Sequence, residues 1–160
     1  MRRKLSIEPL SREAFAPFGQ VLETDGAENF LINQGTTTRY HQLATAETGA
    51  NGQSIMSIFR GTRRPEPIRI EMLERHPLGS QAFMPLSPLD WLVVVAETPD
   101  ASALRCFRAK GTQGVQYAAG VWHHPLLVLV PQQDFLVIDR EGPGENLEEI
   151  GLVPGAEIVL

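Results

Sequence analysis

Twelve prolines and fourteen glycines cut this 160-residue chain into short apolar runs, and that punctuation constrains the fold more than any other feature. Proline cannot donate a ladder hydrogen bond, and glycine loses the most conformational freedom on ordering, so long uninterrupted elements are disfavoured. Between the breakers the residues read as strands at 20–24, 38–44, 54–60, 67–76, 81–84, 91–97, 103–108, 121–130 and 135–140. Turn clusters such as Gly49-Ala50-Asn51-Gly52, Thr98-Pro99-Asp100 and Glu141-Gly142-Pro143-Gly144 separate them. One short N-terminal helix is predicted, where Ser11 caps Arg12-Glu13-Ala14-Phe15 before Pro17 and Gly19 end it. The tail from 146 to 160 reads as one helical turn and a final strand. Many short strands favour an all-β barrel or sandwich over α/β alternation. With 42% hydrophobic residues and neither repeat nor linker, residues 1–160 are expected to form one domain with a sizeable core.

Charge and cysteine usage narrow the class of protein. Fourteen Lys and Arg against nineteen Asp and Glu leave a net charge of −5, with no basic block to meet nucleic acid or an anionic membrane. Met1-Arg2-Arg3-Lys4 is followed by no apolar core, so no signal peptide is expected. The longest apolar run, Trp91 to Ala96, is too short to span a bilayer. The lone Cys106 cannot form an internal disulfide and fits a cytoplasmic setting. It sits in the apolar stretch Ala103-Leu104-Arg105-Cys106-Phe107, which favours packing over a nucleophilic role.

The strand at 67–76 carries the chemistry. Ile68, Ile70 and Met72 share one face, and Arg69, Glu71 and Arg75 the other, with Leu73 the exception. Continuing the same period of two into the barrel interior places Glu74 and His76 next. Each would cost on the order of several kcal/mol in an apolar setting unless paired, hydrated or bound to something. The alternative is that both are simply solvated at the barrel mouth. After the turn Pro77-Leu78-Gly79-Ser80, Gln81 opens the next strand, and Glu74-x-His76-x4-Gln81 resembles the first cupin motif with its first and last positions changed. Ala118-Ala119-Gly120-Val121-Trp122-His123 resembles the second motif without its proline. Two ligands at i and i+2 project together from one strand, and a distant histidine closes the cage around a metal or a substrate. His124 then faces away from His123 and suits a structural or interface role, and Trp122 reads as packing. Asp139 follows Phe135 and Val137 on one face, either to orient a histidine or to satisfy a barrel-end backbone group.

Glu74-Arg75-His76-Pro77-Leu78-Gly79-Ser80-Gln81-Ala82-Phe83 and Val121-Trp122-His123-His124-Pro125-Leu126 closely resemble the two signature stretches of ureidoglycolate lyases. Asn33-x-Gly35, Arg39-Tyr40-His41 and Phe135-x-x-Ile138-Asp139-Arg140 also look like that family, in order and spacing. The resemblance runs from Pro9 to Arg140. It implies a cupin-like double-stranded β-barrel of jelly-roll type, a homodimer, and cleavage of (S)-ureidoglycolate to glyoxylate and urea. It also implies a divalent metal, with nickel as the candidate.

The residue types suit that elimination. One group must take the hydroxyl proton, another must protonate the departing nitrogen, and a donor-rich group must hold the carboxylate. His76 or Glu74 is assigned as base, with His123 assisting proton transfer. The substrate-binding set is Gln81, Arg39 and Asp139. Gln81 is assigned to the ureido group and Arg39 to the carboxylate, with Arg75 and Arg140 as competitors for the carboxylate. If a metal binds, its ligands are His76, Gln81 and His123, with Glu74 as a fourth candidate. Lys4 and Lys110 are the only lysines and neither has an apolar setting, which disfavours a Schiff base. Three other readings stay open: a metal-dependent dioxygenase or isomerase, a non-catalytic small-molecule sensor, and a hydrolase releasing ammonia in place of urea.

Overall fold

The helix forms where its cap allows it. In the computed structural model, which describes residues 1–160, the Ser11 hydroxyl accepts from the Ala14 backbone N–H at 3.2 Å and opens α1 (Arg12–Phe15). That one turn packs Phe15 into the core. The first half of the chain then carries β1 (Arg3–Lys4), β2 (Ile7–Pro9), β3 (Gly19–Leu22), β4 (Asn29–Ile32), β5 (Thr37–Tyr40), β6 (Gln53–Thr62), β7 (Ile68–Arg75) and β8 (Gln81–Pro85). The second half carries β9 (Trp91–Ala96), β10 (Leu104–Ala109), β11 (Gly114–Tyr117), β12 (Trp122–His123), β13 (Leu127–Val128), β14 (Gln132–Glu141) and β15 (Glu148–Ile158). No helix is long and apolar enough to cross a membrane.

The strands form an eight-stranded sheet in the order β1-β15-β7-β12-β9-β10-β2, with β13 also on β9, and a five-stranded sheet in the order β3-β11-β8-β14-β6. β4 and β5 pair only with each other. Alternation along β9 feeds two cores at once. Trp91, Val93 and Val95 point between the sheets and meet Phe83, Tyr117, Phe135 and Val137. Leu92, Val94 and Ala96 point the other way and meet Ile70, Cys106, Leu152 and Ile158. That second cluster comes almost entirely from one face of the eight-stranded sheet, so the sheet curls onto itself. This is the curved wall of a cupin-like barrel. Cys106 lies within the second core, where burial pushes its thiol up to about 12 and keeps it protonated and unreactive. The packing role read from its neighbours is its role.

Several boundaries differ from the sequence reading, each for a local reason. The run 121–130 is two short strands, β12 and β13, because Pro125 cannot donate to a ladder. The tail holds no helical turn. Its strand β15 runs along β7 with a register shift between Gly151 and Ala156. The strand expected over 38–44 stops at Tyr40, two residues before Gln42 adopts φ +48°. β1, β2, β4 and β11, of two to four residues each, are too short to show a period. The largest correction concerns β7. Ile68 and Ile70 pack in the outer core together with Leu73, so the alternation slips a step between Ile70 and Leu73. Glu74 therefore faces the space between the sheets because the phase breaks, not because it continues.

Candidate active site

Registers bring six side chains to one end of the layer between the sheets. His123 on β12 is opposite both Val95 of β9 and Glu74 of β7. Residues directly opposite share a face, so all three point inward. Gln81 of β8 is opposite Tyr117 of β11, and Asp139 continues the inward face of Phe135 and Val137 on β14. His76 lies just past the end of β7. The two motif halves are tied through the backbone, for the Gly120 N–H donates to the His76 carbonyl at 2.8 Å. Gly120 makes this turn at φ +79°, a conformation that costs glycine little.

Each imidazole is held in one tautomer. His76 Nδ1 lies 2.9 Å from the Asn146 carbonyl, and His123 Nδ1 lies 2.9 Å from the Val121 carbonyl. A carbonyl only accepts, so both Nδ1 atoms carry hydrogen, and in the neutral ring both Nε2 atoms then present a lone pair. Neither Nε2 has a hydrogen-bond partner, and neither does Gln81 Oε1. Three of the six buried side-chain polar atoms left unpartnered in the molecule thus belong to this one cluster. Buried polar groups are rarely left so, which makes this cluster the candidate place for a ligand, an ion or water. Surface clefts elsewhere, such as the one lined by Ser11, Arg12, Glu23 and Lys110, have no such convergence.

The ligand atoms of Glu74, His76 and His123 all lie within 4.8 Å of one another. His123 Nε2 is 3.5 Å from Glu74 Oε1, long for a hydrogen bond. The neighbouring His123 imidazole nevertheless holds the Glu74 carboxyl below its usual range, against the opposing effect of burial. Tyr117 lies flat against His123, with ring centroids 4.1 Å apart and planes 7° from parallel. Two fixed Nε2 lone pairs and one carboxylate suit a divalent metal ion. The set that converges is Glu74, His76 and His123, so Glu74 is a full member where the sequence reading made it an optional fourth.

The remaining predicted residues fall into place one by one. Asp139 orients no histidine and satisfies no backbone group. Its Oδ2 accepts from Gln81 Nε2 at 3.2 Å, which turns Gln81 Oε1 into the site as an acceptor. Arg140 is buried and its guanidinium donates to the carbonyls of Thr48, Ala50 and Pro143, so it holds a loop and not a substrate. Arg75 is paired with Glu148 and stacked over Trp122, 4.6 Å from the ring centroid. Arg39 stands on the separate β4–β5 hairpin, its guanidinium 5.8 Å from the Phe30 ring centroid. The side chains that lower the Glu74 carboxyl are the imidazoles of His123, His76 and His124, and none of the three arginines is among them. Tyr117 and Asn146 are site residues that the sequence reading missed. β11 was too short to detect, and Asn146 acts mainly through its carbonyl, which every residue possesses.

His124 is buried, its Nδ1 held by the Pro125 carbonyl at 2.8 Å. Burial pushes it down to about 4 from an ordinary value near 6.5. The folded state keeps it neutral while the unfolded chain protonates near pH 6.5. Stability is therefore full above that pH and falls as pH drops toward 4, by roughly 3 kcal/mol at most. Glu74, with its lowered value, adds loss of the same sign at the acid end of that window. Urea unfolding midpoints between pH 7.5 and 4.5 should decline, and His124→Asn should flatten the decline. An unchanged slope in that variant would assign it to other groups.

A cluster of two imidazoles and a carboxylate, gathered from separate strands inside a curled barrel, defines a small cupin-like enzyme. A family model described as Ureidoglycolate lyase matches residues 2–159. Over 151 residues the chain is 54% identical to the ureidoglycolate lyase of Pseudomonas syringae pv. syringae strain B728a, spanning 92% of this chain and 89% of that protein. It is 52% identical over 162 residues to the ureidoglycolate lyase of Stutzerimonas stutzeri strain A1501, spanning 99% and 95% respectively. The chain belongs to the ureidoglycolate lyase family.

Proposed function

We propose that residues 1–160 act as one catalytic unit that eliminates urea from (S)-ureidoglycolate and leaves glyoxylate. The observation that carries this reading is the convergence of three unpartnered acceptors, His76 Nε2, His123 Nε2 and Gln81 Oε1, beside Glu74. In the elimination the hydroxyl O–H bond breaks and its electrons form the aldehyde C=O. The C–N bond then breaks, and the departing nitrogen takes a proton to become urea. His76 Nε2 receives the hydroxyl proton and passes it to His123 Nε2, the two ring centroids being 5.3 Å apart. His123 delivers that proton to nitrogen, the Glu74 carboxylate stabilising the transient imidazolium. Gln81 Oε1 accepts from the ureido N–H groups, in the orientation that Asp139 fixes.

The same lone pairs also fit a divalent ion, held by Glu74, His76 and His123. Such an ion would supply positive charge to the substrate's hydroxyl and carboxylate oxygens. Nickel, which the resemblance implies, accepts imidazole nitrogen readily. A lone pair used as a ligand cannot also take a proton, so the two uses exclude one another at any moment. In this reading the protein works in the cytoplasm, in keeping with its single buried thiol. It is also a homodimer, supported by Met56 and Ile58, which are 75% and 63% exposed on the open edge strand β6.

The test is product analysis on purified protein given (S)-ureidoglycolate, with and without chelator. Equal glyoxylate and urea are expected; ammonia without urea would mean a hydrolase, and no turnover above the spontaneous rate would overturn the reading. Loss of activity with chelator, restored by added metal, would assign the lone pairs to the ion. Asp139→Asn offers a sharper probe of recognition, because an asparagine amide can donate to Gln81 Oε1 and turn it out of the site. KM should rise about tenfold or more, with a smaller change in kcat. An unchanged KM would remove the Asp139–Gln81 pair from substrate recognition.

A further inference from the structure

The hairpin β4–β5 is hydrogen-bonded to neither large sheet. A lone two-stranded hairpin is marginal in water and needs a surface to cover it. This one leaves Phe30, Leu31 and Tyr40 exposed, Leu31 by 67%. Its tip passes through Asn33, Gln34 and Gly35, all at positive φ. It therefore projects as an ordered arm on which Phe30 and Tyr40 are only partly covered, Phe30 by His41, and Leu31 is left mostly bare.

A second observation comes from charge. The substrate brings a carboxylate to a site that already holds Glu74 and Asp139. Even a divalent ion would do no more than balance those two, so the incoming anion still needs a cation. Ten of the fourteen Lys and Arg side chains are engaged in ion pairs or on carbonyls, which leaves Lys4, Arg39, Arg64 and Lys110. Lys4 is opposite Glu157, at the end of β15 away from Glu149, which faces Glu74. Lys110 follows Ala109, opposite Trp91 at the end of β9 away from Val95. Arg64 precedes β7 at its Ile68 end, and its charge is felt by His124 but is not among the groups that shift Glu74. That leaves Arg39, a planar two-pronged donor suited to a carboxylate, standing unpaired on the exposed arm.

We propose that the β4–β5 arm seats on a second copy of this chain and that its Arg39 receives the substrate carboxylate in that copy's Glu74–His76–His123 site. The proposal rests on the lyase reading for its substrate, and it makes each site the joint product of two chains. The positive Arg39 then meets an acidic site, and Leu31 gains the cover it lacks. In a closed two-fold dimer the exchange is reciprocal.

Arg39→Ala and His76→Ala chains carrying different affinity tags can be co-expressed and the mixed dimer isolated through both tags. Arg39→Ala alone should lower kcat/KM by about ten- to a hundredfold, and His76→Ala alone by at least about a hundredfold. The mixed dimer has one site with both residues, so it should recover about half of the wild-type rate. A mixed dimer no more active than its parents would overturn action across the interface, as would a fully active wild-type monomer. If wild type itself releases no urea, the lyase reading falls and Arg39's role falls with it. The seating of the arm is read separately from the dimer dissociation constant in solution, which Leu31→Asp should raise by about tenfold or more. A dimer as tight as that of wild type in the variant would overturn the seating.

Discussion

Ureidoglycolate turnover should fall by at least about a hundredfold when His76 is replaced by alanine, with little change in thermal stability. The magnitude is that of losing one general acid–base partner, about 10²–10⁴-fold. The fold should survive because His76 lies past the last residue of β7 and belongs to neither core. Its removal frees the Asn146 carbonyl, but Asn146 stays anchored through its side chain, which accepts from the Leu78 N–H at 2.8 Å. Removing His76 also deletes one of the three converging ligands. Metal content measured alongside turnover therefore separates the two uses of the lone pair: lost activity with full metal content indicates a proton carrier, and joint loss indicates a ligand. Turnover near the wild-type rate would remove His76 from the mechanism altogether.

Trp91→Ala should cost stability on the scale that His76→Ala costs activity. Trp91 is 1% exposed at the centre of the inner core, edge-on to Phe135 with centroids 4.9 Å apart. Its indole N–H donates to the Gln113 carbonyl at 3.0 Å. Emptying that volume should remove about 3–5 kcal/mol, and the Gln113 carbonyl loses its donor besides. For a chain of this length the loss corresponds to a melting temperature lower by roughly 6–20 °C. Urea unfolding measures it directly, and Trp91→Phe, which leaves a smaller void, should retain most of the stability. A loss below about 1 kcal/mol for the alanine variant would contradict the packing described for this core.

The strand-rich fold was legible because turn residues interrupt the chain at short intervals, and Ser11 announced its helix by a local rule. His76, Gln81 and His123 were legible because two weak motifs reinforced one another. The route to Glu74 was not. A period of two carries no sign of a slipped phase, and only the packing of Leu73 with Ile70 reveals that β7 changes face between them. Arg39, Arg75 and Arg140 could not be ranked from sequence, since an arginine's partners depend on contacts distant along the chain. Glu148 for Arg75 and the Thr48 carbonyl for Arg140 are such partners. Alternation along β14 shows which face Asp139 occupies, but its partner, the Gln81 amide, is another contact distant along the chain.

The division of the hydrophobic interior into two cores bears on how much change the site can tolerate. Each unpartnered acceptor in it penalises folding by about 1–3 kcal/mol, and all of them sit at the margin of the inner core. The outer core contains none of Glu74, His76, Gln81, His123 or Asp139. Chemistry is thus confined to one side of a curved wall that is supported by packed cores on both sides. Sequence drift at the inner margin can retune which small molecule is held there while the opposite side keeps the wall's curvature, so a barrel of this kind can change its substrate without first having to become more stable.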